Sequence, residues 1–188
     1  MAPTNHVLCM VNYRRNRIPG GTYFFTVNLL DRESDLLVQK IDILCDVVRK
    51  VRHDRPFHID AWVVLPDHLH CVWTLPPGDA DYASRWQNIK KMFSRQIPAT
   101  EPLSETQARL NERSIWQRRY WEHTIRDERD YAAHVDYCHI NPLKHGLVAA
   151  VRDWPFSTFH RYVRESVYTA DWAEVVPDLL AGERKQQT

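Results

Sequence analysis

No apolar run in the 188 residues approaches the roughly 20 that a membrane helix needs. The longest near the N-terminus, Val7-Leu8-Cys9-Met10-Val11, is too short for the core of a signal peptide. With nothing to direct the chain elsewhere, a cytoplasmic location and no membrane partner are expected. Cysteine is sparse: Cys9, Cys45, Cys71 and Cys138 lie far apart without a C-x-x-C pair, which argues against a disulfide scaffold or a zinc ribbon. Glycine-rich phosphate loops are missing as well. Neither G-x-x-x-x-G-K-[ST] nor G-x-G-x-x-G occurs, so no nucleotide cofactor is expected. Net charge is nearly absent at +1, so any pull on a polyanion has to come from local clusters.

What is present is an ordinary globular composition, 44% hydrophobic and 26% charged, which excludes a largely disordered chain. The length suits a single domain able to bury its own core. Residues 13–162 read as that domain, with an N-terminal extension over 1–12 and a weakly patterned tail over 163–188. Cations cluster locally at Arg14, Arg15 and Arg17, and again at Lys90, Lys91 and Arg95. Seven tryptophans and eight tyrosines accompany them. Cations for phosphates and flat rings for bases suit nucleic acid, although solvated charge around an aromatic core gives the same composition.

Thr22-Tyr23-Phe24-Phe25-Thr26-Val27-Asn28, opened by Gly20-Gly21, reads as the first strand. Ile41, Leu44, Val47, Val48 and Val51 recur at helical spacing and predict a helix over 40–53. Two apolar runs, 57–65 and 68–75, flank Pro66-Asp67 and read as an antiparallel hairpin. Tyr82, Trp86, Ile89, Phe93 and Ile97 predict a second helix over 81–97. A polar loop over 98–114 leads to a fourth strand over 115–125. A third helix should start at Asp127-Glu128 and end near Asn141, because Pro142 disfavours helical geometry in the residue before it. The order is that of an α+β, ferredoxin-like βαββαβ fold with an antiparallel sheet, plus an added helix towards the C-terminus.

Two clusters could carry chemistry. His68 and His70 are two apart on the third predicted strand, so both project from one face, where a pair of imidazoles can hold a divalent ion. Surface or hydrogen-bonded histidines are the bland alternative. Tyr137 and Asn141 are one turn apart on the third helix and face the same way. A phenol is a candidate nucleophile, and a carboxamide oxygen is an acceptable ligand for Mg²⁺ or Mn²⁺. Packing of the tyrosine on the sheet and helix termination before Pro142 are the alternatives here. Trp62 and Trp73 alternate through the hairpin strands and suit core packing.

The joint pattern is sharper: His68-Leu69-His70 on a central strand, then Tyr137-Cys138-His139-Ile140-Asn141-Pro142 some seventy residues on. It resembles the single-tyrosine HUH (His-hydrophobic-His) transposases, and among them the REP-associated tyrosine transposases. Residues 20–28, 61–70, 134–146 and 153–157 carry the resemblance, which spans about residues 13 to 160. The resemblance implies that His68, His70 and Asn141 bind Mg²⁺ or Mn²⁺ and that Tyr137 attacks a DNA phosphodiester. The product is a 5′-phosphotyrosine link and a free 3′-hydroxyl, and reversal rejoins strands without ATP. The wider family more often has glutamine four residues after the tyrosine; Asn141 is one methylene shorter. Tyr131 and Tyr120 are rival nucleophiles, but neither has a carboxamide four residues on at a helical position.

The implied substrate is single-stranded DNA carrying the hairpins of repetitive extragenic palindromes (REP), with Arg14, Arg15, Arg17, Lys90, Lys91 and Arg95 as candidate backbone contacts. A monomer is expected on this branch, with Tyr137 serving its own histidines; mobile-element relatives form dimers that exchange the tyrosine helix. His134 and His139 flank the tyrosine and read as structural or phosphate-contacting. Three other classes compete: an inactive hairpin-binding protein, a hydrolase using metal-bound water, and a relaxase or replication initiator.

Overall fold

The computed structural model describes residues 16–99 and 113–174. Its centre is a four-stranded antiparallel sheet in the order β2-β3-β1-β4, made by β1 (Thr22–Asn28), β2 (His58–Val64), β3 (His68–Thr74) and β4 (Trp121–Thr124). β1 and β3 are the central pair, in full register from Thr22 opposite Thr74 to Asn28 opposite His68. Their central places follow from composition: aromatic and β-branched residues on both faces suit a strand covered on both sides.

One face carries α1 (Leu36–Gln39), α2 (Ile41–Asp54) and α3 (Tyr82–Gln96). The helical repeat of Leu44, Val47, Val48 and Val51 buries against Tyr23, Phe25, Val27 and Trp73. Asp81 caps α3 by accepting from the Ser84 amide at 3.1 Å. Trp73 and Trp86 stack at 4.3 Å, both fully buried, with half-buried Trp62 parallel to them, so the hairpin tryptophans are core.

The other face carries α4 (Glu128–Lys144), whose Val135 and Cys138 bury against Phe24, Ala61, Val63 and Val72. The chain then covers the β2 edge: Val64 N–H donates to Phe156 O, Thr158 N–H to Trp62 O and the Trp154 indole to Val64 O, at 2.9, 2.8 and 2.9 Å. A short α5 (Phe159–Arg164) follows, and Tyr168 and Trp172 stack over Phe159 beside α4. The sheet is thus sandwiched between two helical layers. Among the described residues no helix is long and apolar enough to cross a membrane.

Three expectations need correction. The fourth strand is only four residues long; before it, pairing is limited to an isolated bridge between Leu29 and Trp116. A short helix, Leu36–Gln39, precedes α2. α4 runs three residues past Asn141, with Pro142 inside it. Proline lacks the N–H that would bond the Cys138 carbonyl, which costs one helix hydrogen bond. Burial of Ile140, Asn141 and Pro142 and the hydrogen bond from the Asn141 amide to the Tyr137 carbonyl offset that loss.

Candidate nucleic-acid processing site

β3 places His68 and His70 on the α4 face, opposite Asn28 and Thr26 of β1. Each imidazole has a partner at Nδ1. His68 Nδ1 donates to Asp67 at 2.6 Å, and His70 Nδ1 meets the Thr26 hydroxyl at 2.9 Å. The Asp67 carboxylate holds the His68 proton on Nδ1 and leaves its Nε2 lone pair for a ligand, the arrangement found around metal-binding histidines, and the Thr26 hydroxyl can accept from His70 in the same way. Burial would raise the Asp67 carboxyl, but the His68 hydrogen bond and the His68 and Arg32 charges outweigh it and hold it low. Burial, helped by the His68, His145, Arg32 and Lys144 charges, pushes His70 well below its ordinary value, so the ring is neutral.

α4 brings Tyr137 over this pair. Its ring lies 5.1 Å from that of His70, edge to face, and 5.7 Å from Phe24. The Lys144 ammonium lies 5.0 Å from its centroid. One turn on, Asn141 is fully buried; its amide donates to Tyr137 O at 2.5 Å, while its Oδ1 has no partner. His70 Nε2 is likewise buried and unpartnered. Buried polar atoms are nearly always satisfied, so two such acceptors on facing elements are a signal for an absent ligand. Two imidazole nitrogens and a carboxamide oxygen suit a divalent ion. The residues present therefore fit a divalent ion.

The rival tyrosines are elsewhere. Tyr131 donates to Asp60 at 3.3 Å, and burial raises its phenol strongly. Tyr120 packs with Phe25 and Trp86 on the opposite face of the sheet. His139 is fully buried, bonded to the Thr158 hydroxyl at 2.9 Å, and burial lowers it to about 3, so it is structural. Among the candidate DNA contacts, Arg17 is exposed, whereas Arg14 and Arg15 fall outside the described residues. Lys90, Lys91 and Arg95 lie on α3, across the sheet from Tyr137, and the Lys90 ammonium donates to Gln117 O at 2.8 Å. Thr26, Asp67, Phe24, Lys144 and His145 were not singled out by the sequence. Only Asp67, a carboxylate adjoining His68, gave a local hint.

A second group that could hold an ion is His123, Asp130 and His134, with ligand atoms all within 4.8 Å. It is distinct from the His68, His70 and Asn141 set. Asp130 accepts from His123 Nε2 at 2.8 Å and from Arg126 N and Nε at 3.0 and 3.2 Å. Burial pulls this carboxyl up, but those bonds prevail and bring it down to about 2. Its folded value is therefore below its unfolded one. The stabilisation is complete above about pH 4 and fades as pH falls through 2. Asp130→Asn should cost about 1–2 kcal/mol at pH 6, and urea titrations in pH steps should show the gap to wild type closing between pH 4 and 2.

A sheet backed by three helices, with a histidine pair on its other face under a tyrosine helix, defines a class of DNA-processing enzymes. The family model described as "Transposase IS200 like" matches residues 3–139, so the family pattern begins ahead of residue 13. The "REP-associated tyrosine transposase" of Escherichia coli (strain K12) is 53% identical over 175 residues, covering 93% of this chain and 98% of that protein. A relative from Haemophilus influenzae (strain ATCC 51907 / DSM 11121 / KW20 / Rd) is 43% identical over 164 residues, covering 87% of this chain and 93% of the other. A solved structure, described as the REP-associated tyrosine transposase bound to a REP hairpin, superposes with a TM-score of 0.77 at 52% identity, covering 95% of this chain and all of that one. The chain belongs to the IS200-like transposases, and within them to the REP-associated tyrosine transposases.

Proposed function

We propose that this protein cleaves and rejoins single-stranded DNA beside REP-type hairpins, through a 5′-phosphotyrosine link on Tyr137, with Mg²⁺ or Mn²⁺ as cofactor. The observation that carries the reading is the meeting of Tyr137 with His70, whose Nε2 is buried and unpartnered, as is Asn141 Oδ1. The hairpin as partner is inferred from the relative whose solved structure holds one.

A phosphodiester resists nucleophiles because its oxygens are negative. A divalent ion supplies charge neutralisation at a non-bridging phosphate oxygen. His68, His70 and Asn141 would hold that ion, the histidines aimed by Asp67 and Thr26. Tyr137 supplies the attacking oxygen. Its O–P bond forms as the P–O3′ bond breaks; the phenol proton passes to solvent, and the departing 3′ oxygen takes up a proton. An ordinary tyrosine is protonated at neutral pH, so positive charge nearby favours the attack. The Lys144 ammonium beside the ring provides some. The link conserves the bond energy, so attack by another 3′-hydroxyl reverses the step without ATP. His70 and Tyr137 of one chain make the site, which favours a monomer acting in cis.

The test is a labelled strand with a hairpin and unpaired flanks, incubated with wild-type protein and Mn²⁺, Mg²⁺ or chelator, then run on a denaturing gel. A metal-dependent protein–DNA band, with a released 3′ end that a polymerase extends, is the expected result. Tight hairpin binding without any adduct would leave a binding protein. Cleavage without a covalent link would leave a hydrolase.

A further inference from the structure

Trp121 is a large apolar residue on a sheet edge, 41% exposed. Single exposed hydrophobics are ordinary and mean little alone. This one has a special address. Thr26 of β1 is opposite His70 on one side and opposite Trp121 on the other, so the three form one row across the sheet on the α4 face. Two strand spacings separate Trp121 from the histidine, roughly 10 Å. Between them stands Phe24, whose ring is 5.6 Å from both Trp121 and His70 and 5.7 Å from Tyr137.

The indole is also braced from behind. It lies nearly parallel to His123, at 5.9 Å and 8°, and His123 lies nearly parallel to His134, at 4.5 Å and 15°. Asp130 fixes both imidazoles: its carboxylate accepts from His123 at 2.8 Å, and its backbone carbonyl accepts from His134 Nδ1 at 2.8 Å, with the carboxylate 3.1 Å from the same nitrogen. His123 and Arg126 already occupy the carboxylate and His134 is tied to the main-chain carbonyl, which makes the group a brace more readily than an ion site. Arg118, Arg119, Arg126 and Arg129 are exposed on the segments around Trp121. A preset flat ring in line with His70, on segments that expose four arginines along with Asp127 and Glu128, matches one ligand chemistry: an unpaired nucleobase whose neighbouring phosphates are negative.

We propose that Trp121 is a stacking platform for one unpaired base of the DNA flank, close to the phosphate that is cut, with His123, Asp130 and His134 as its support. This deepens the preceding reading and rests on it for the position of the scissile phosphate. Stacking tolerates any base, so the platform sets where the strand lies and not which base is read.

The test is an abasic walk. Hairpin oligonucleotides with one missing base at each flank position in turn are titrated by fluorescence anisotropy against wild type, Trp121→Ala and Trp121→Phe. Wild type should lose about tenfold in affinity at one position. In Trp121→Ala that penalty should shrink to within about twofold while the others persist, and Trp121→Phe should restore most of it. The exposed edge position leaves the fold of both variants intact, which circular dichroism checks. An abasic profile unchanged in Trp121→Ala, or flat in wild type, overturns the proposal. Adduct formation is scored in parallel. Adduct without coupling to Trp121 defeats the platform alone, whereas coupling without adduct defeats the transesterase reading and leaves the platform standing.

Discussion

Tyr137→Phe should abolish the covalent protein–DNA adduct and lower cleavage by at least ~10⁴-fold while leaving hairpin affinity within about twofold. The substitution removes one hydroxyl and keeps the ring. The ring contacts with His70 and Phe24 are aromatic and survive, and so does the bond from the Asn141 amide, which goes to the backbone carbonyl of residue 137. Tyr131→Phe is the matched control. Its hydroxyl is committed to Asp60 and its phenol is held protonated, so the adduct should form as in wild type. Mass spectrometry of the adduct from wild type should place the phosphate on the peptide that carries Tyr137. An adduct that survives Tyr137→Phe would move the nucleophile to another residue.

The elements were legible where the apolar pattern was long. β1 and the hairpin declared themselves as unbroken apolar runs, because both faces of the central strands must be buried, and α3 declared itself by periodicity, because only one of its faces is. The ends were less legible. β4 was read too long because its aromatics, Trp116 and Tyr120, look like strand residues but pack against Phe93 and Trp86 beside α3. α4 was read too short because the bias of Pro142 is local, whereas the burial that outweighs it is tertiary. The motif Asp153-Trp154-Pro155-Phe156-Ser157 carried family resemblance without a visible task. Its task is to seal the β2 edge through the Trp154 indole and the Phe156 carbonyl.

The candidate site divides along the same line. His68, His70, Tyr137 and Asn141 were accessible because strand and helix periods put each pair on one face. Thr26 and Phe24 were not, because their roles exist only through the register that sets β1 beside β3. The Asp130 brace needed both the β4 pairing and the path of α4 to be known. For the basic cluster of Lys90, Lys91 and Arg95 the charge is easy to see in a sequence, but which side of a sheet it lies on is not.

His70→Ala should cut adduct formation by roughly 10³-fold or more, because the ion's share of transition-state stabilisation is several kcal/mol and each ~1.4 kcal/mol is tenfold. The stability of the metal-free protein should move in an unusual way. A buried side chain normally costs stability when truncated, through the cavity it leaves. Here the side chain also carries a desolvated, unpartnered nitrogen, and removing such an atom recovers its desolvation penalty of about 1–3 kcal/mol. The two effects oppose each other, so the melting temperature in chelator should shift by only a few degrees. Added Mn²⁺ should raise the melting temperature of wild type and leave that of His70→Ala nearly unchanged. Thr26→Val, which deletes the partner of His70 Nδ1, should weaken Mn²⁺ binding by roughly 10–100-fold with the ligands themselves intact. Calorimetric titration of Mn²⁺ into each protein checks the order. Equal Mn²⁺ affinity in wild type and His70→Ala, with a large loss of stability in the variant, would make His70 a core residue and remove it from the proposed chemistry.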